Sequence, residues 1–140
     1  MILKMGYYST IKINFRIEDY EGLEKSFQEL EKLGLITLFH TNMWFHIIVK
    51  DDDKITDKKL QFLSYIKENL RFYVDGSVKC VLDYDKWYYD DNLARFLAPF
   101  VSPGGTMEFI GEDGERWGYE FRNGKAFLVN WVRQVTELSL

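Results

Sequence analysis

Asn123-Gly124 is the most restrictive feature of this chain, because it stands between two runs of alternating character, residues 115–122 and 125–132. A two-residue Asn-Gly loop favours the hairpin turn in which both central residues take positive φ, and the twist of that turn matches the twist of the strands it joins. The pairing around it is then fixed, with Tyr119 opposite Leu128 and Trp117 opposite Asn130. A third run, residues 106–111, precedes a turn at Asp113-Gly114. The C-terminal part of the chain therefore reads as a three-stranded antiparallel meander. If Asp113-Gly114 is also a two-residue turn, Ile110 faces Trp117 and Glu108 faces Tyr119.

The rest of the chain supplies helices and further strands. Residues 9–17 alternate, with Ile11, Ile13, Phe15 and Ile17 on one side and Lys12, Asn14 and Arg16 on the other, as in a half-buried strand. Asp19 is placed to cap a helix whose inner stripe is Leu23, Phe27, Leu30 and Leu33, and Gly34 suits its end. Residues 35–40 and 43–50 read as strands around Thr41-Asn42, and Thr56 caps a second helix with Leu60, Leu63, Ile66 or Lys67, and Leu70 along its length. Residues 77–84 alternate again. Asp85 is placed to cap a third helix with Tyr89, Leu93, Phe96, Leu97 and Phe100 inside, stopped by Pro103-Gly104-Gly105.

The predicted order is β-α-β-β-α-β-α-β-β-β. It describes an α+β fold with a mostly antiparallel sheet and helices packed on one face. Two topologies fit: a ferredoxin-like βαββαβ unit extended by the meander, or two βαββ modules, residues 9–50 and 77–122, joined by the second helix. No linker rich in Pro, Gly or Ser interrupts residues 1–140, so one domain is expected.

Composition narrows the function classes. Of 140 residues, 46% are hydrophobic and 17% aromatic, which is the opposite of a disordered bias. The net charge of −4 argues against direct nucleic-acid binding, which depends on basic patches. A single cysteine, Cys80, excludes an internal disulfide framework and fits a reducing compartment. No apolar run approaches the ~20 residues of a membrane span and no signal core is visible, so a cytoplasmic location without membrane contact is expected.

Catalytic motifs are scarce. In a tight hairpin His40 pairs with Met43 and His46 with Thr37, which puts the two histidines on opposite faces and argues against a shared metal. Cys80 lies mid-strand between Lys79 and Val81 and reads as a buried structural thiol. Asp83 and Asp85 form a D-x-D pair of the kind that holds Mg²⁺ for phosphoryl transfer, but no Gly-rich phosphate loop accompanies them. Asp51, Asp53 and Asp57 begin a calcium-loop spacing that fails at Thr56 and Phe62, where glycine and glutamate are required.

The meander offers more. In the two-residue-turn register, Glu108, Trp117, Tyr119 and Asn130 share a face with Phe121, a lining suited to an apolar or cationic ligand. Arg116, Glu120 and Arg122 fall on the other face beside Phe109, Phe127, Val129 and Trp131. Mixed charge beside large rings is the composition of protein-binding surfaces.

The two-module reading resembles, in element order, the paired strand-helix-strand-strand modules of the gyrase-inhibitor-like family. That resemblance spans nearly the whole chain, implies ligand binding, and carries no site residues with it. The residues themselves favour a non-enzymatic protein-binding module of the inhibitor, adaptor or immunity type, acting through Arg116, Glu120, Arg122 and Trp131 on a protein partner, with no cofactor. A small-ligand domain built on Glu108, Trp117, Tyr119 and Asn130 is the alternative, and a Mg-dependent enzyme using Asp83 and Asp85 comes after it.

Overall fold

The computed structural model describes residues 6–131 and 136–138. The elements run β1 (Ser9–Asn14), α1 (Tyr20–Lys32), β2 (Ile36–His40), β3 (Trp44–Val49), α2 (Leu63–Ile66), β4 (Leu70–Tyr73), β5 (Val78–Cys80), β6 (Tyr84–Asp85), α3 (Asp90–Leu97), β7 (Thr106–Gly111), β8 (Arg116–Arg122) and β9 (Lys125–Asn130). The α+β class, the antiparallel pairing and the helix–strand order are those read from the sequence.

The strands divide into two antiparallel sheets, ordered β6-β1-β7-β8-β9 and β2-β3-β4-β5. This pairing follows neither of the two expected topologies, because both keep β1 in one unit with β2 and β3. Here β1 pairs with β6 and β7, both of which come after the whole of the second sheet in the chain. The hydrophobic pattern explains the separation. Ile11, Phe15 and Ile17 are buried against the meander side, whereas β2 and β3 bury Ile36, Leu38, Phe45 and Ile47 beneath α1. Each set already has a cover.

The helices join the sheets into one core. Phe27 of α1 touches Phe45 and Phe72 of the second sheet and Phe96 of α3, with ring centroids 5.0–5.8 Å apart. The α3 helix in turn lies on the inner face of the first sheet through Asp90, described below.

Several local expectations are met and others are revised. Asp19 caps α1 by accepting a bond from the Gly22 amide at 3.0 Å, and Gly34 ends that helix at φ 79°. Leu33, expected inside, is exposed, because α1 ends at Lys32 and Leu33 is its cap. The second helix is much shorter than its pattern implied. Lys67 takes φ 43° and closes it, and Leu70-Arg71-Phe72-Tyr73 becomes a strand with alternate burial. Asp85 does not cap α3. It lies in β6, where it accepts from the Asn69 amide side chain at 2.9 Å, and α3 starts five residues later after left-handed Tyr89.

Candidate functional site

The meander reproduces one of its two expected turns. Asn123 and Gly124 both take positive φ, Arg122 pairs with Lys125, and Trp117 faces Asn130 as the turn chemistry requires. The Asp113-Gly114 connection is longer by one residue on the β7 side. Ile110 pairs with Arg116, Phe109 with Trp117 and Glu108 with Gly118. The Gly111 amide bonds to Glu115 and the Gly114 amide to Gly111, a loop in which only Gly114 takes positive φ. A one-residue slip sends every side chain of a strand to the other face. Glu108 therefore does not share a face with Trp117 and Tyr119, and Phe109 does not lie beside Arg116.

The inner face of the first sheet is packed. Phe109 stacks on Trp117 at 5.6 Å, and α3 covers Trp117 and Tyr119. Asp90, only 2% exposed at the first turn of α3, accepts from Trp117 Nε1 at 2.8 Å and from the Tyr119 hydroxyl at 2.6 Å. Burial raises the Asp90 carboxyl above its usual range although both bonds favour its ionised form. Burial, followed by the Asp90 charge, raises the Tyr119 hydroxyl as well. The residues proposed for ligand binding are thus divided: Trp117 and Tyr119 are buried beneath α3, Asn130 is exposed at the end of β9, and Glu108 lies on the outer face bonded to Arg116.

The outer face brings the other four residues together. Arg116, Glu120 and Arg122 alternate along β8, and Phe127 and Val129 stand opposite Glu120 and Gly118. The Arg116 guanidinium lies over the Trp131 ring at 5.3 Å and donates to Glu108, its Nε at 2.9 Å. Arg122 lies over Phe127 at 5.8 Å and pairs with Glu120. Trp131 is 41% exposed and Phe127 46%. Two rings, two guanidinium groups and two carboxylates thus lie on one side of an antiparallel sheet, with Trp131 just past the end of β9.

The second sheet also has an uncovered face, which the sequence did not single out. Phe39 and Trp44 sandwich His46 at 5.1 and 5.4 Å, and Arg71 lies 4.4 Å over Trp44. His46 is buried in that stack, whereas His40 faces the other way, 3.8 Å from Glu24. The hairpin pairs Phe39 with His46, two residues off the expected register. An even slip leaves the faces unchanged, so the separation of the histidines holds.

Other candidates stand apart. Cys80 is partly buried with its thiol 3.1 Å from the Leu82 carbonyl, and burial, then nearby Asp83, pushes it up to about 12. Asp83 is exposed, whereas Asp85 is held by Asn69 and by the Lys86 amide. Among the described residues no group of three or more His, Cys, Asp or Glu is placed to hold a metal ion, and no helix is long and apolar enough to cross a membrane. No family model, no curated protein and no solved structure matches this chain.

Proposed function

We propose that this chain is a protein-binding domain that acts through the outer face of its first sheet, with Arg116, Glu120, Arg122 and Trp131 as the contact residues. One observation carries the reading: two part-exposed rings, Phe127 on β9 and Trp131 directly after it, stand on one side of the sheet with a guanidinium over each. Aromatic and arginine side chains supply most of the energy in protein interfaces, because they bury large areas and make charge-assisted bonds in the same contact. The paired strands fix the spacing of Arg116, Glu120, Arg122 and Phe127 before any partner arrives, so little ordering entropy is lost there on binding.

Affinity capture from the native host tests the reading. A protein retained by the wild type should be lost when Trp131→Ala is combined with Arg116→Ala and Arg122→Ala, at nearly unchanged melting temperature. Retention of that protein by the triple variant refutes the assignment of this face.

A further inference from the structure

Resting on the reading that the partner is a protein, we infer how it engages: an extended segment of the partner adds as a sixth strand to the free edge of β9, with alternate side chains entering the groove between β9 and α3.

Hydrogen-bond parity shows which β9 residues present free backbone groups. Phe121 donates to the Gly105 carbonyl and accepts from the Gly104 amide, so its polar groups point away from β9. Successive residues of a strand alternate in this direction. Glu120 and Arg122 therefore bond toward β9, to Phe127 and Lys125, their partners in the register. Ala126, Leu128 and Asn130 are left with N–H and C=O directed outward, and among the described residues no strand pairs with that side.

The same strand residues supply a groove. Ala126 and Leu128 line a pocket of about 370 Å³ together with Tyr119 of β8 and Asp91 and Arg95 of α3. Backbone groups and side-chain space are thus offered by one set of residues, the arrangement that lets a peptide gain affinity from main-chain bonds and selectivity from alternate side chains. The edge is also undefended. Edge strands are normally blunted by proline, internal charge or shortness. Of the other edges, β6 has two residues, β5 has three with a central lysine, and β2 has its Leu38 amide taken by the Glu31 carboxylate at 2.7 Å, whereas β9 has six residues, no proline, and a charge only at Lys125. Leu128 is 61% exposed.

The groove selects the chemistry of the occupant. Its wall of Tyr119, Ala126 and Leu128 fits an aliphatic or aromatic side chain, and the Asp91–Arg95 pair, 3.1 Å apart, asks for no net charge. On the other face the added strand would lie beside Phe127 and Val129. A second copy is a poorer occupant. An edge about 20 Å long offers it much less than the ~800 Å² per partner of a stable interface.

A phage-displayed library of random twelve-residue peptides, selected on the full chain, provides the probe. We expect enriched peptides with apolar residues at alternate positions, and slowed hydrogen exchange at the amides of Ala126, Leu128 and Asn130 on binding. Leu128→Pro removes one outward N–H and spares the bonds to β8, so affinity should fall at least tenfold; Leu128→Ala keeps the N–H and should lose less. If Leu128→Pro does not fold, the exchange pattern of the wild type decides. No enrichment overturns the inference, as do peptides that bind folded Leu128→Pro unchanged or leave those amides unprotected. A dimer in sedimentation that Leu128→Pro dissolves assigns the edge to a second copy and also overturns it. Peptides lost with Trp131→Ala but kept by Leu128→Pro overturn strand addition while supporting the outer face, so the two readings fail separately.

Discussion

The two faces of the five-stranded sheet carry similar residues put to opposite use. On the inner face Trp117 and Tyr119 direct their polar atoms at one buried carboxylate, Asp90, and their rings into the core. On the outer face Trp131 and Phe127 turn their rings toward guanidinium groups and keep more than a third of their surface in solvent. Trp117 lies in β8 and Trp131 directly follows β9. What separates them is strand parity and the presence of α3, not residue type. Aromatic content alone therefore identifies neither core nor interface in this molecule.

The inner face should be where the fold breaks. Trp117→Ala empties a buried site beside Phe109 and deprives Asp90 of a donor, and should cost about 3–5 kcal/mol. Chemical denaturation measures this; a loss below about 1 kcal/mol would mean that the inner face is not packed as described. Asp90→Ala should follow. It leaves the Trp117 and Tyr119 donors buried without an acceptor, at about 1–3 kcal/mol, whereas Asp90→Asn keeps an acceptor oxygen and should cost less than the alanine variant.

The same pair of variants tests the electrostatics. The folded Asp90 carboxyl lies above its unfolded value because burial disfavours the charge. In the interval between the unfolded and the folded pKa the native state binds more protons, so stability falls as pH rises through that interval. The stabilisation is fully present below the unfolded value and lost above the folded one. Asp90→Asn lacks the titration. It should gain on the wild type as pH rises above about 3.8, the unfolded carboxyl value. Parallel stability–pH curves for the two proteins would show that burial does not control this group.

The sequence disclosed the outer face better than the inner one, for a reason visible in the two turns. Asn123-Gly124 admits one tight geometry, and the β8–β9 register followed from it. Asp113-Gly114 is compatible with loops of different length, and the longer one moved β7 by a residue and carried Glu108 to the opposite face. Asp90 was missed because the expected helix began at Asp85 and its inner stripe of Tyr89, Leu93, Phe96, Leu97 and Phe100 left Asp90 out, whereas the helix begins at Asp90 itself. Its burial depends on α3 crossing Trp117 and Tyr119, 27 and 29 residues away in sequence. The partition into two sheets was hidden for the same reason: local alternation shows that β1 is a strand but not that its neighbours are β6 and β7. The groove beside β9 likewise needs the position of α3, which no local pattern carries.

The smallest expected effect on stability is the one that most sharpens the contrast between the faces. Trp131 is 41% exposed, and its cation–π contact with Arg116 is worth about 0.5–1 kcal/mol at such a site. Trp131→Ala should therefore lower stability by clearly less than Trp117→Ala, whose indole is only 9% exposed, although both delete an indole. Binding should show the reverse order. A ring that a partner covers is a contact whose truncation typically costs about 2 kcal/mol or more, so Trp131→Ala should weaken capture of a partner about thirtyfold or more, at a smaller loss of melting temperature than Trp117→Ala. The measurement pairs a thermal melt with a titration against the captured protein. A Trp131→Ala variant that melts like Trp117→Ala would make this indole part of the core, and the outer face would lose its main anchor.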